Sequence, residues 1–241
     1  MKQKMEEYLG SKEQISAFSW MMSKCNLWSA SLIIILSIIS CTDTNIASSR
    51  VEILPYYNEA TFTPLWPDAS YTTSDTLHTV PSFKLYNQYN DTITQDTFKD
   101  KIYVADFFFT FCTGICPKMT KNMASIQQAF IDDPEILLIS HSVTPQHDTS
   151  EVLQDYASQN GVVKDKWHLL TGSRDEIYDL GRNQYFIEED LGLNKTEDEF
   201  LHTENFVLID KDKHIRGIYN GLNTTSVQQL IADINTLKEE K

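Results

Sequence analysis

Two cysteines four residues apart, Cys112 and Cys116, stand within the stretch YVADFFFTFCTGICPKMT, from Tyr103 to Thr120. At an i, i+4 spacing on a helical turn, both sulfurs fall on one face, close enough to share a metal or to close a strained disulfide. Pro117 follows the pair, and good helix formers run from Lys118 to Phe130, so the cysteines belong to the turn that opens a helix. The free N–H groups of a helix start also favour thiolate over thiol. Redox exchange and soft-metal ligation are the chemistries open to such a pair.

The elements that must position it follow from the flanking pattern. Val104 to Phe109 is dense in β-branched and aromatic residues without alternation, which predicts a buried central strand running into the thiols. Asp106 interrupts that strand six residues before Cys112. It resembles the buried aspartate of thioredoxins, which serves proton transfer to the second thiol; a hydrogen-bonded structural carboxylate is the competing reading.

Further strands are predicted at Glu135–His141, Trp167–Leu170, Phe206–Asp210 and His214–Tyr219, with two short strands around a turn at Gln88–Asp91. Phe83, Leu85 and Ile93 are expected to point inward there. Helices are predicted at Pro117–Phe130, after an Asp148/Glu151 capping box and ending at Gly161, after a Ser173/Glu176 capping box, and at Ser226–Lys238. Tyr185–Leu201, polar, acidic and aperiodic, reads as an insertion loop or a small hairpin. This order implies an α/β, thioredoxin-like fold: a central mixed sheet flanked by helices, an N-terminal hairpin extension, and an acidic insertion before a histidine loop.

In such a sheet the loop carrying His202, just before the Phe206 strand, faces the helix that opens at Cys116. Two thiolates and an imidazole form a three-donor set suited to Cu(I), or to Cu(II) with an added ligand, whereas structural zinc wants a fourth protein donor. Taken alone, a loop histidine is more often a surface residue. His141 and His147, near the carboxyl end of the sheet, are candidate auxiliary or second-sphere ligands; His168 reads as a core histidine, and His78 and His214 as solvent residues.

Three residues separate the cysteines where thioredoxins have two, and no proline lies near His202, where a thioredoxin places one beside its site. A general disulfide reductase is therefore disfavoured. A peroxidase on this fold needs an arginine beside its cysteine, and the nearest basic residue here is Lys118.

With 241 residues, 41% hydrophobic and 11% aromatic, one domain with extensions is expected. The net charge of -14 argues against nucleic acid and against docking on anionic lipid through a basic patch. Leu27–Ile39 has the length of a signal-peptide apolar core, Lys24 supplies its positive flank, and Ile38-Ile39-Ser40-Cys41 resembles the lipobox of bacterial lipoproteins. The expected organisation is a signal peptide over 1–40, with initiation at Met21 or Met22, a tether over 41–78 acylated at Cys41, and a folded domain over 79–241. An uncleaved signal anchor is the alternative; either way the domain lies outside the cytoplasm. Cys112 and Cys116 then remain as the free thiols of the mature chain. Tyr56, Tyr57, Phe62 and Trp66 make the tether too aromatic for a pure linker and are expected to lie against the domain.

FFFTFCTGICPKMT, ISHSVTPQHDT and FLHTENFVLIDKDKHIRGIYNG together resemble the Sco/SenC family of copper-binding, thioredoxin-fold proteins that assist cytochrome c oxidase assembly, over roughly Thr79 to Lys238. The resemblance implies that Cys112, Cys116 and His202 are the copper ligands. It also implies delivery of copper to the binuclear copper A centre of oxidase subunit II, or reduction of that subunit's cysteines, with other copper chaperones or thiol reductases as further partners. The expected location is the bacterial cell envelope, as a membrane lipoprotein with its domain facing the periplasm. One departure is local: the family commonly carries aspartate and arginine where this chain has Thr144 and His147.

Overall fold

A computed structural model describes residues 48–67, 77–188, 201 and 203–240. The apolar run Leu27–Ile39, Cys25, Cys41, most of the acidic insertion and His202 lie outside the described residues. No helix among the described residues is long and apolar enough to cross a membrane.

Five strands form one sheet in the order β5-β4-β3-β6-β7. These are β3 (Ile102–Phe108), β4 (Ile136–Ser142), β5 (Trp167–Leu170), β6 (Asn205–Ile209) and β7 (Ile215–Asn220). β3 pairs in parallel with β4, and β4 with β5, while β6 and β7 run antiparallel. A separate hairpin joins β1 (Lys84–Tyr86) to β2 (Thr92–Thr94), with Phe83, Leu85 and Ile93 buried beneath it. The fully buried run of β3 is what a non-alternating apolar strand requires, because both faces are covered.

The two faces carry different cores. Val104 and Phe108 of β3 pack with Met119, Met123 and Ile126 of α1 (Cys116–Ala129), Leu153 of α2 (Ser150–Asn160), and Leu230 and Ile234 of α4 (Thr224–Glu239). Tyr103, Ala105 and Phe107 point the other way, into the hairpin and Ile177 of α3 (Arg174–Asp179). A π-helical turn, Leu180–Gln184, follows α3.

Three expectations are corrected. α2 is capped by Thr149, whose side chain accepts from the Val152 N–H, and not by Asp148, which is buried and bonded elsewhere. Tyr185, Phe186 and Ile187, read as the start of a polar insertion, are buried with Leu201 in the second core. An aromatic-aliphatic triplet ahead of acidic residues was masked by the composition of the longer window. His214 is buried and its Nδ1 bonds the His78 carbonyl, while His78 is half-buried with Nε2 2.7 Å from the Gln184 carbonyl, so neither is a solvent residue.

Before the hairpin, Tyr56 bridges to Leu65 and Tyr57 to Ile215 of β7. Arg216 is buried, donates to the Leu54 and Pro55 carbonyls and to Asp210 and Glu240, and stacks 4.1 Å over the Tyr56 ring. Residues of the 41–78 stretch thus pack along the sheet edge well before its end.

Candidate metal and redox centre

β3 ends at Phe108, where its carbonyl accepts from the Val143 N–H at 2.9 Å, and α1 begins at Cys116. The seven intervening residues form the thiol loop. Pro117 occupies the first turn of α1, where its missing N–H costs nothing. Cys112 is partly exposed and Cys116 buried; both are free thiols, hydrogen-bonded to each other.

Their environments push the two apart. Burial opposes ionisation of Cys112, but the hydrogen bond from Cys116 and the backbone N–H groups of Cys116, Gly114 and Ile115 outweigh it, leaving its pKa below the ordinary thiol value. Burial raises the Cys116 thiol strongly, and its hydrogen bond with Cys112 and the nearby charges of Cys112 and Asp106 add to the rise, against one lowering contact from the Phe109 N–H. The pair is therefore an accessible thiolate-prone sulfur backed by a buried thiol.

Asp106 faces the same side of the sheet, since residues 104, 106 and 108 alternate with 103, 105 and 107. It pairs in register with Ser140. Trp167 Nε1 donates to Ser140 Oγ at 2.9 Å, which directs the Ser140 hydroxyl proton toward the Asp106 carboxyl. The other oxygen, Oδ1, is buried with no hydrogen-bond partner. Burial pushes the Asp106 pKa up to about 7, the Ser140 bond only partly offsetting it. A buried acid close to neutrality, whose charge is felt by the buried Cys116 thiol, is suited to exchange a proton with it.

Tyr156 of α2 closes this region, its hydroxyl 2.7 Å from Thr120 Oγ1 and its ring tilted against Phe108. Burial raises its pKa to about 12, with Asp106 and both cysteines contributing. Tyr156 falls within the helix expected to end at Gly161; its approach to the thiols comes from the packing of α2 and carries no sequence signal.

The histidines divide by face and depth. His141 is a register partner of Phe107 and so points to the opposite side from the cysteines, stacked on the Phe107 ring at 4.7 Å. Its expectation as an auxiliary ligand is corrected, because alternation along a strand sends neighbours to opposite faces. Neither ring nitrogen makes a hydrogen bond of ordinary geometry, and burial lowers its pKa to about 3. His168 is buried edge-on to Phe98. His147 stands at the loop after β4, against Phe111, the neighbour of Cys112.

Among the described residues no group of three or more His, Cys, Asp and Glu is placed to hold a metal. His202, the third expected donor, lies outside them, but its neighbours are anchored. Leu201 is buried, and the Thr203 hydroxyl donates to the Ile187 carbonyl at 2.7 Å, which Asn205 Nδ2 also reaches at 2.9 Å.

Fold and site together define a thioredoxin-like dithiol protein with an asymmetric cysteine pair at a strand-to-helix turn. The SCO1/SenC family model matches residues 71–239, and the chain belongs to that family. The SCO1 protein homolog of Bacillus subtilis (strain 168) is 29% identical over 161 residues, 65% of this chain and 81% of that protein. Of solved structures, a SCO1/SenC family lipoprotein from Bacillus anthracis str. Ames is 29% identical, covering 67% of this chain and 95% of its own, with a TM-score of 0.59. BsSco, a member of the Sco family of cytochrome c oxidase assembly proteins in which a disulfide switch was identified, is 28% identical, covering 68% and 96%, with a TM-score of 0.58. Bradyrhizobium japonicum ScoI, solved with copper bound, shares the fold at 22% identity and a TM-score of 0.52, covering 67% and 98%.

Proposed function

We propose that this protein is an envelope copper chaperone, anchored through lipid on Cys41, that binds one copper ion through Cys112, Cys116 and His202 and delivers it to the copper A centre of cytochrome c oxidase subunit II. The observation that carries this reading is the asymmetric dithiol in a chain of the SCO1/SenC family. Copper is the cargo here, and the donor set fits it. Cys112 offers a sulfur already biased toward thiolate; Cys116 must lose its proton as the metal arrives, and Asp106 is the nearby acceptor. Soft sulfur donors favour Cu(I), with an imidazole completing three-coordination. The copper-bound ScoI and the lipoprotein relative support cargo and anchoring respectively. The test is copper stoichiometry and absorption of the reduced chain, wild type against His202→Ala. Tight one-to-one copper that is lost in the variant is expected; no stoichiometric uptake by wild type would refute the chaperone reading.

A second reading, thiol-disulfide exchange, is favoured by the same asymmetry together with Asp106. Cys112 thiolate attacks a partner disulfide, forming a mixed disulfide and releasing one partner thiolate. Cys116, giving its proton to Asp106, then attacks the Cys112 sulfur and expels the second partner thiolate, so the pair is oxidised by two electrons and the partner reduced by two. The disulfide switch of BsSco supports this chemistry. Full cellular function of His202→Ala would favour it over copper delivery.

A further inference from the structure

The loop after β4 holds a second arrangement. Asp148 is fully buried and accepts hydrogen bonds from the Thr110 N–H, from the hydroxyls of Thr110, Ser142 and Thr144, and from His147 Nδ1 at 2.9 Å. Burial alone would raise its pKa, but the bonds from Ser142, Thr110 and His147 hold it below its ordinary value. With one N–H and three hydroxyls already converging on its two oxygens, the Asp148 carboxylate is the acceptor and His147 Nδ1 the donor in their bond, which leaves Nε2 as the ring nitrogen open to a ligand. The His147 side chain is 56% exposed. Its ring lies 4.6 Å from that of Phe111, which is itself exposed and adjacent to Cys112. Thr110, two residues before Cys112, is held by the same carboxylate.

A carboxylate that fixes one ring nitrogen and leaves the other free is the usual support of a metal-binding histidine. The other described histidines lack this disposition. His141, His168 and His214 are buried, and His78 Nε2 lies against a carbonyl.

We propose that His147, oriented by Asp148, is an entry ligand for copper at the mouth of the thiol loop, taking the ion through Nε2 and passing it to the cysteines by ligand exchange. This rests on the copper reading above. The ion keeps its oxidation state: the Nε2–copper bond breaks as a sulfur–copper bond forms, and a proton leaves any thiol that becomes a ligand. One imidazole completed by water makes a weak site, which suits a position the cargo must leave.

The test uses the full chain in two forms. In a Cys112→Ser/Cys116→Ser variant, substoichiometric Cu(II) should broaden the His147 imidazole NMR signals; sharp His147 signals while copper binds elsewhere would overturn the proposal. In the thiol-containing chain, His147→Gln should keep final copper stoichiometry but take it up at least tenfold more slowly in stopped flow, and an unchanged rate would overturn it. The arm lacking Cys112 and Cys116 stays readable if the dithiol proves not to bind copper, because it is read at the His147 signals, so the two readings fail separately.

Discussion

Replacing Asp106 with Asn should remove a pH-dependent penalty from the native state. The Asp106 carboxyl is fully buried, and its pKa is raised from an ordinary 3.8 to about 7, chiefly by that burial. Between these values the folded chain holds a proton that the unfolded chain has released, so native stability falls as pH rises from about 4 to about 7. At 1.36 kcal/mol for each pH unit, the penalty approaches ~4 kcal/mol by pH 8. The Asn side chain carries the loss of the carboxyl at every pH and does not titrate. The difference in unfolding free energy between Asp106→Asn and wild type should therefore move in the variant's favour by ~2–4 kcal/mol on going from pH 4 to pH 8. Comparing the two proteins cancels Asp148 and Asp133, whose pKa values are lowered and whose own contributions run the other way. Urea unfolding of the reduced chain at unit pH steps is the assay. A difference that stays within about 1 kcal/mol across that range, or moves against the variant, would refute the buried-acid argument.

Cys112 should be alkylated by iodoacetamide before Cys116 at neutral pH, with Cys116 of a Cys112→Ser variant reacting roughly 100-fold more slowly than Cys112 of the wild type, as peptide mass spectrometry of quenched samples would show. Arg216→Ala leaves Asp210 and the Leu54 carbonyl without their buried partner, and should cost about 3–5 kcal/mol in unfolding while raising amide exchange at residues 54–57. Gly181→Ala sets a methyl 2.6 Å from Leu201 Cδ2 and 3.1 Å from Ile187 Cδ1 and Phe107 Cε1. It should destabilise by about 1–3 kcal/mol and, by displacing the residue before His202, weaken copper retention without changing Cys112 alkylation. Gly161 caps α2 at φ 69°, so Gly161→Ala should cost about 1 kcal/mol, read from the urea midpoint.

Much of the architecture is written locally. An unbroken apolar run names a strand covered on both sides, Pro117 after a cysteine marks the start of a helix, and Ser173 and Gly161 fix helix ends through side-chain and backbone geometry that depend on few neighbours. The dithiol was legible for the same reason, since its spacing and its place at a strand-to-helix turn are sequence properties. The mixed composition of Tyr185–Leu201 hid a buried triplet, and the Asp148/Glu151 pattern mimicked a cap that Thr149 supplies.

What the sequence could not set is which charged and polar groups meet across elements. Asp148 gathers Thr110, Ser142, Thr144 and His147 only because β3 and β4 end side by side, and Tyr156 nears the thiols only because α2 packs on that face. His141 and His147, six residues apart and equal as candidates in the chain, are separated by strand alternation: one is stacked neutral behind the sheet and the other is open at the thiol loop. Likewise the difference between Cys112 and Cys116 is one of burial and of amides converging on one sulfur. Desolvation and hydrogen bonding act through space, so these properties exist once the chain has folded.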